Sequence, residues 1–325
     1  MSIVDAGGSP KSLSHAPVGR SIANIQPMLP HIKKLNTSDH EAVIRFLTRV
    51  QLDHARAVLS EHKAMRIGTD SVTEWVVEAD GEWVAYFQAA EHGPAVFDVE
   101  IVVVAGREGL IPDAVHEVCA ELGGSIQIWA WTAELMLALE QAGAEVERVL
   151  LEMKVPLPLA EIVPVPEGFA LREFRVSEHS EDLRTLLNRA FAGHREAGGK
   201  TREDLARRFE LPWFSEEDVL AAWSGRRLAG VCWTKHPRPD VGEIYIIGVD
   251  PDFTGSGLGR ALVAAGLRHQ YDRYQVTSGS LWTEEDNARA VGMYRSMGFT
   301  IAFENYAYGI PTARSSSGSR RRSTG

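Results

Sequence analysis

Three glycines at alternate positions lie in the segment VDPDFTGSGLGR, which spans residues 249–260. The segment follows a strand-like run and leads into a helix-like run, so its backbone amides can gather near a helix N-terminus. Such amides and the positive end of a helix attract anions, and Gly255, Gly257 and Gly259 let the backbone come close to a ligand. The pattern favours a site for a phosphate or diphosphate group. An ordinary structural turn is the alternative interpretation.

Two better-known nucleotide motifs do not fit this part of the chain. The dinucleotide-binding fingerprint needs a third glycine three residues after the second, whereas Gly259 follows Gly257 by two. A P-loop needs Gly-Lys-Ser/Thr, which does not follow here. The upstream segment GHREAGGKT ends in that way, but His194 stands where the first glycine should be, and the segment follows a helix rather than a strand. Neither kind of site is predicted.

A second signature lies downstream, in NARAVGMYRSMGF at residues 287–299. Helical spacing puts Asn287, Ala290 and Tyr294 on adjoining parts of one helix face. Two spaced signatures in this order are far more specific than either of them alone.

The chain divides at a proline-rich segment, KVPLPLAEIVPVPEGF at residues 154–169. Proline fixes φ and lacks an N–H group, so this segment is a poor helix or central strand. We predict a flexible N-terminal extension (1–30), a first domain (31–158), a second domain (159–312) and a disordered tail (313–325). The tail is rich in Ser and Gly and contains the only dense basic cluster of the sequence.

The two predicted domains form an internal repeat. GFTIAFENYAYGIP, at the end of the second, and GAEVERVLLEMKVP, at the end of the first, have the same length and lie 155 residues apart. The first copy has AGREGLIPD where the second has the glycine loop. By the same offset, Leu139 and Thr132 stand where Tyr294 and Asn287 stand. If those residues do chemistry, only the second copy can perform it.

The second half alternates helices and strands. A helix at EDLRTLLNRAF has apolar residues at helical spacing, and Thr201 with Asp204 is close to a capping box for a second helix. Strands are predicted at 219–223, 228–235 and 243–249. The glycine loop, the helix LGRALVAAGLRHQY, the strand SLWT, the helix NARAVGMYRSM and a final strand follow. This is a mixed α/β order.

The two signatures together resemble those of the GCN5-related N-acetyltransferase (GNAT) family, whose glycine loop holds the pyrophosphate of acetyl-CoA. The resemblance implies an α/β fold of two tandem GNAT-type domains, each a mixed, mostly antiparallel sheet flanked by helices. It also implies acetyl-CoA as co-substrate and no metal. The chain departs from the family at Thr254, where Gln or Arg is usual, and Arg260 could replace that side-chain contact. The acetyl-CoA-binding residues implied by the resemblance are Ile247, Gly248, Val249, Thr254, Gly255, Ser256, Gly257, Leu258, Gly259, Arg260, Asn287, Ala288, Arg289, Ala290, Val291 and Gly292.

A narrower resemblance is carried by NRAFAGHREAGGKT, LPWF at 211–214, WTKHP at 233–237, GEIYIIGVDP and EEDNARAVGMYRSMGF. These segments are similar to those of the mycothiol synthase family, tandem acetyltransferases that acetylate the cysteinyl amine of desacetylmycothiol in the last step of mycothiol biosynthesis. The likeness covers most of the second half and the first half only in outline. Trp282 departs from the family, which has a Tyr there. The acceptor-binding residues implied by this resemblance are Glu61, Glu196, Lys235, Glu243 and Trp282.

Acetyl transfer from CoA needs a neutral amine, a polarised thioester carbonyl and a proton for the departing thiolate. In the family, the Glu that matches Glu243 is assigned as the base. Tyr294 is the candidate acid, because a phenol with a pKa of about 10 can protonate a thiolate of comparable basicity. The alternatives are a solvent-facing acid for Glu243, a packed aromatic for Tyr294 and a helix N-cap for Asn287.

Two other functions remain open at this stage. One is acetylation of another small amine or of a protein N-terminus, and an extended peptide would require an open groove rather than a closed pocket. The other is a regulatory protein that binds acetyl-CoA without turnover. The acceptor residues are equally compatible with solvated surface charges, Glu61 above all.

The composition narrows the class of partner. The 325-residue chain has a formal net charge of -10 and a pI near 5.6, which disfavours a broad nucleic-acid surface. Cys119 and Cys232 are far apart, and His194 and His236 lack metal-ligand spacing. The sequence shows no apolar leader and no apolar run of membrane length. We expect a cytoplasmic, monomeric enzyme that acts on a small molecule, with no nucleic acid, membrane or metal as partner.

Overall fold

The computed structural model describes residues 30–52, 59, 61–192 and 200–311, and its two halves share one order of elements. The first half contains β1 (His31–Lys34), α1 (His40–Leu52), α2 (Glu61–Ala64), β2 (Thr73–Ala79), β3 (Glu82–Gly93), β4 (Val96–Val103), α3 (Ile111–Leu122), β5 (Ser125–Ala130), α4 (Ala133–Gln141) and β6 (Glu145–Pro156). The second half contains β7 (Ala170–Arg172), α5 (Val176–Ala190), α6 (Arg202–Phe209), β8 (Val219–Ser224), β9 (Arg227–Arg238), β10 (Val241–Val249), α7 (Leu258–Tyr274), β11 (Ser278–Glu284), α8 (Ala288–Ser296) and β12 (Thr300–Gly309).

The elements agree with those predicted for the second half. The capping box of α6 forms as expected, since the Thr201 hydroxyl accepts from the Asp204 amide and the Asp204 carboxylate accepts from the Thr201 amide. Helix α8 follows α4 at the predicted offset of 155 residues. The predicted N-terminal extension and C-terminal tail lie almost wholly outside the described residues.

The described strands form one continuous sheet that runs through both halves. Its order is β1-β2-β3-β4-β5-β12-β6-β11-β10-β9-β8-β7. The last strand of each half is therefore exchanged: β12 pairs with β5 of the first half, and β6 pairs with β11 of the second. The predicted domain boundary near residue 158 separates the two copies of the repeat in sequence. It does not separate two sheets, because one sheet continues through both halves.

Hydrophobic burial holds the exchanged strands in place. Leu151, Met153 and Val155 of β6 pack into the core of the second half, under α7 and α8. Tyr308 of β12 packs into the core of the first half, with α3 and α4. Burying a side chain of this size stabilises a fold by about 1.5–3 kcal/mol, so each half would lose several such contacts without the other.

Helices cover the two faces of the sheet differently. On the first face, α3 and α4 cover one half and α7 and α8 the other. On the second face, α1 packs on the outer strands of the first half, and α5 and α6 pack on those of the second. The central strands β5, β12, β6 and β11 take no part in the two cores of that second face.

Two parallel strands separate near the middle of the second half. Strands β10 and β11 pair up to Ile244 and Leu281, but β10 continues to Val249. Beyond the last pair, the backbone groups on that edge of β10 have no partner strand, which a buried strand rarely tolerates without a ligand or water. The first half repeats the feature, because β4 and β5 pair up to Glu100 and Trp129.

Candidate active site

The glycine loop follows β10 directly and turns the chain into α7. Gly255 has φ +89° and Gly257 has φ +82°, values that side-chain-bearing residues rarely adopt, and Gly257 is the N-cap of α7. Gly259 lies in the first turn, where an added methyl group would make only ordinary contact with Val249 at 3.7 Å. The first two glycines are therefore required by backbone conformation, whereas Gly259 is not.

The loop presents backbone amides at the start of α7. The Ser256 hydroxyl donates to the Phe253 carbonyl (2.7 Å) and accepts from the Leu258 amide (3.3 Å). None of the hydrogen bonds among the described residues uses the amides of Gly255, Gly257 or Gly259. Residues 254–257 are exposed. Unpaired amides at a helix N-terminus fit the diphosphate of a nucleotide-like ligand.

A buried carboxylate, missed by the sequence analysis, anchors this loop. Asp250 follows β10, and its side chain is 3% exposed. It accepts from the Arg189 Nε (2.8 Å), from an Arg227 amino group (2.6 Å) and from the Asp252 amide (3.0 Å). Burial tends to raise the pKa of Asp250, but the two arginines outweigh it and lower the pKa to about 2. An Asp-Pro pair directly after a strand was the signal available in the sequence.

We expect Asp250→Asn to lower the free energy of unfolding by roughly 2 kcal/mol near neutral pH, since two arginines lose their anionic partner. Because the pKa is lower in the folded state, the stabilisation is complete above the unfolded value near pH 3.8 and is lost as the pH falls toward about 2. Urea unfolding of both proteins across this range measures it. Asp182→Asn, at an exposed site on α5, is the control. An equal stability of wild type and Asp250→Asn at neutral pH would contradict the anchoring role.

Arg260 contacts the proline-rich segment. Its guanidinium donates to the Ser296 hydroxyl (2.7 Å) on α8 and to the Glu161 carboxylate (2.6 Å). Thr254 is exposed. The suggestion that Arg260 replaces a side chain missing at Thr254 stays a prediction, and it requires the guanidinium to leave Glu161.

Helix α8 lies beside the start of α7, so the two sequence signatures come together. Besides the contact between Arg260 and Ser296, a methyl group on Gly259 would lie 4.0 Å from the Met293 sulfur. Asn287 is the N-cap of α8, where its side-chain oxygen accepts from the Ala290 amide (3.2 Å). The N-cap interpretation of Asn287 is therefore the one observed. Among the other acetyl-CoA-binding residues predicted on α8, Ala288, Arg289 and Gly292 are exposed, and Val291 is buried in the core.

Glu243 lies on β10 next to Lys235 of β9. The Lys235 ammonium is 3.2 Å from a Glu243 carboxylate oxygen, and each side chain is 15% exposed. The ammonium also lies over the rings of Tyr245 (5.0 Å) and Trp213 (5.6 Å). The predicted base is thus a carboxylate paired with a lysine in a partly buried, aromatic-walled site, and not a solvent-facing strand-end acid.

Tyr294 lies on α8 and is 4% exposed. Its ring packs against Phe299 at 5.7 Å between centroids, and no hydrogen bond of its hydroxyl is found in the described part of the chain. Burial raises the pKa of Tyr294 to about 12, with a smaller contribution from Cys232. Burial likewise raises the pKa of the Cys232 thiol to about 12. Both the Tyr294 phenol and the Cys232 thiol are therefore protonated at neutral pH.

Glu243 and Tyr294 approach the strand opening from opposite faces of the sheet. Glu243 pairs with Ser280, on the face that carries α5 and α6. The next residue, Ile244, packs in the core that contains Tyr294. Strands β10 and β11 separate directly after Ile244. The opening therefore begins next to Glu243 on one face of the sheet and next to the core that contains Tyr294 on the other.

The predicted acceptor residues are only partly described. Trp282 of β11 is partly exposed, on the same face as Glu243, and its ring meets Phe303 edge-on at 6.2 Å. Glu196 lies outside the described residues. For Glu61 the structure describes only the backbone, which begins α2. Lys235 is the remaining predicted acceptor residue, and it lies beside Glu243.

Two features are absent from the part of the chain that the structure describes. In the described ranges, no group of three or more His, Cys, Asp or Glu side chains could hold a metal ion. No helix in the same part of the chain is long and apolar enough to cross a membrane.

The chain is similar in sequence to known acetyltransferases. The profile of the Acetyltransferase (GNAT) family matches residues 180–299. A mycothiol acetyltransferase of Geodermatophilus obscurus is 35% identical over 300 residues, which cover 84% of this chain and 95% of that protein. The chain belongs to the mycothiol acetyltransferase family. Another mycothiol acetyltransferase, from Nocardia farcinica, is 31% identical over 85% of this chain and 95% of that protein.

Solved structures show the same fold. A GCN5-related N-acetyltransferase from Sphaerobacter thermophilus superposes with a TM-score of 0.66 and 19% identity, covering 87% of this chain and 96% of that chain. A tandem GNAT protein from the clavulanic acid biosynthesis pathway gives a TM-score of 0.64 and 18% identity, covering 87% and 99%. The predicted tandem GNAT fold, enzyme class and kinship with mycothiol acetyltransferases are confirmed. GNAT acetyltransferases use acetyl-CoA as co-substrate.

Proposed function

We propose that this protein transfers the acetyl group of acetyl-CoA to the cysteinyl amine of desacetylmycothiol. The observation that carries the proposal is similarity along 95% of the length of a mycothiol acetyltransferase, which includes both halves of the repeat. The second half supplies the chemistry, because the first has Leu139 in place of Tyr294 and lacks the glycine loop.

The glycine loop binds the diphosphate of acetyl-CoA. The unpaired amides of Gly255, Gly257 and Gly259 and the N-terminus of α7 supply donors and positive potential. The unpaired edge of β10 from 247 to 249 then guides the rest of the molecule toward the opening between β10 and β11. When bound there, acetyl-CoA supplies the acetyl group as a thioester. Asp250 keeps the loop in place through Arg189 and Arg227.

Glu243 accepts the proton of the acceptor amine, directly or through a water. The neutral amine nitrogen then attacks the thioester carbonyl carbon and forms the new N–C bond. The nitrogen gives up its excess proton to water, the C–S bond breaks, and the electron pair leaves with sulfur. Lys235 keeps the carboxylate in place and contributes a positive charge on the acceptor side. Because both side chains of the ion pair are only partly exposed, few water molecules can reach the carboxylate and compete with it for that proton.

Tyr294 donates its proton to the departing thiolate. A pKa of about 12 makes the phenol a weak acid toward a thiolate in water, whose conjugate thiol has a pKa of about 8.5. The raised pKa keeps the phenol protonated at neutral pH, so that its proton is available when the C–S bond breaks.

An acceptor panel tests this function. We expect purified protein to consume acetyl-CoA with desacetylmycothiol and to release free CoA thiol, measured by thiol titration and by the mass of the acetylated product. The panel also contains glucosamine, free cysteine and peptides with free N-termini. Brisk acetylation of peptides without turnover of desacetylmycothiol would overturn the proposal in favour of a protein N-acetyltransferase. Binding of acetyl-CoA without any turnover would favour a regulatory protein.

A further inference from the structure

One row of backbone pairs crosses the sheet at the height of Glu243. Lys235 of β9 pairs with Glu243 of β10, and Glu243 pairs with Ser280 of β11. Ser280 pairs with Lys154 of β6, which also pairs with Thr300 of β12. Paired residues point to the same face of a sheet. Lys154 therefore lies on the same face as Glu243, two strands away, or about 10 Å at the usual strand spacing.

A charged pair occupies this place on β6. The Lys154 ammonium lies 3.0 Å from the Glu152 carboxylate, and these side chains are 31% and 15% exposed. The pair belongs to neither hydrophobic core of this face, because α1 packs on the outer strands of the first half and α5 and α6 on those of the second. The pair thus lies on the part of the sheet between these two cores.

Aromatic and amide groups flank the pair. Glu152 pairs with Trp282 on one side and with Phe303 on the other, and the two rings meet edge-on at 6.2 Å. Two residues beyond Phe303, the side-chain oxygen of Asn305 is buried and has no hydrogen-bond partner in the structure as described. A buried acceptor without a partner is unusual and indicates a missing water or ligand group.

We propose that Glu152 and Lys154 recognise the sugar and cyclitol hydroxyls of the acceptor, so that the exchanged strand β6 determines acceptor specificity. This inference rests on the proposed function. With the cysteinyl amine at Glu243, a span of two strands reaches the glucosaminyl-inositol portion of desacetylmycothiol. A carboxylate accepts from hydroxyls and an ammonium donates to them, which suits vicinal hydroxyls that do both. Trp282 and Phe303 supply the apolar surface that binding sites for organic ligands combine with a few polar groups.

The inference also explains why the first half is kept. Leu139 removes its chemistry, yet its last strand forms part of the acceptor site of the second half. A single second-half domain would lack Glu152 and Lys154, as well as the apolar side chains that seal β6 into its core.

A comparison of two acceptors tests the inference. Desacetylmycothiol and cysteinamide offer the same amine and thiol, but only the first has hydroxyls to be recognised. In Glu152→Gln and Lys154→Met we expect the ratio of kcat/KM for desacetylmycothiol to that for cysteinamide to fall about tenfold or more, mainly through KM. Lys154→Arg keeps the cation and is expected to retain most of the ratio. Glu145→Gln, exposed at the start of the same strand, is the matched control.

Each outcome separates the two proposals. If wild-type protein does not acetylate desacetylmycothiol, the proposed function fails before any variant is compared. If wild type is active but both variants keep the wild-type ratio, only the role of β6 is overturned. An equal loss in Lys154→Arg and Lys154→Met would also count against it. Calorimetric titration with CoA shows which variants are folded. If Lys154→Met does not fold, the comparison of Glu152→Gln with Lys154→Arg still tests the inference.

Discussion

Tyr294→Phe is expected to lower kcat by a factor of about 10² or more, because the thiolate would leave without a proton donor. The dissociation constant of acetyl-CoA should change little, since phenylalanine keeps the ring that packs against Phe299. Single-turnover kinetics measure the chemical step, and calorimetry measures binding. The wild-type rate should show no loss from Tyr294 ionisation as the pH rises to about 10, because the phenol stays protonated until the pH approaches its pKa of about 12.

Tyr308→Phe is the matched control for this experiment. Tyr308 is also a buried tyrosine, 2% exposed, with its pKa raised to about 12, but it lies in the core of the first half. The Tyr308→Phe substitution should leave kcat unchanged. Full activity of Tyr294→Phe would show that Tyr294 is a packed aromatic residue and not the acid, which is the alternative interpretation from the sequence. A fall of the wild-type rate centred near pH 10 would show that the phenol titrates without the effect of burial.

Glu243→Gln should lower kcat/KM by a factor of about 10² to 10⁴, with the largest loss at low pH. The reason is that an α-amine has a pKa near 8, so below about pH 8 the acceptor must lose a proton before it can attack. Glutamine cannot accept that proton. At higher pH the amine is already neutral, and the two enzymes should converge. Rates from about pH 6 to about pH 9.5 measure the effect.

The matched control is Glu181→Gln. Glu181 is also a carboxylate in an ion pair, with Arg184 and Arg202, but it lies on the exposed side of α5. Its replacement should leave the pH profile as in the wild type. A Glu243→Gln enzyme that is slower by the same factor at every pH would remove Glu243 from the role of base. Its effect would then be attributed to the loss of the ion pair with Lys235.

The two halves share a helix cap but differ at the position of the proposed proton donor. Thr132 caps α4 by accepting from the Leu135 amide (3.2 Å), as Asn287 caps α8. Leu139, at the position of Tyr294, is fully buried. A helix needs a cap in either half. The cap is therefore present in both halves, whereas the phenol that we propose as proton donor is present only in the second.

The amino-acid sequence alone was sufficient for the repeat, the α/β class, the GNAT kinship and the candidate residues Glu243 and Tyr294. The repeat and the α/β class follow from helical periodicity, strand-like runs and a constant offset of 155 residues. The kinship and the role of Glu243 are implied by the resemblance of the two signatures to those of the GNAT family. Local sequence patterns predicted the capping box at Thr201 and the strands of the second half.

The tertiary structure alone decided which strands meet. The exchange of β6 and β12 joins residues that are more than a hundred positions apart, such as Glu152 and Trp282, and no local pattern encodes such a pairing. The same holds for the buried contact of Asp250 with Arg189 and Arg227. A charged side chain and its partner are recognised from sequence only when they are neighbours on one element, whereas these three lie on a loop, a helix and a strand. Long-range pairing depends on how the hydrophobic faces of both halves are buried together, and that is a property of the whole folded chain.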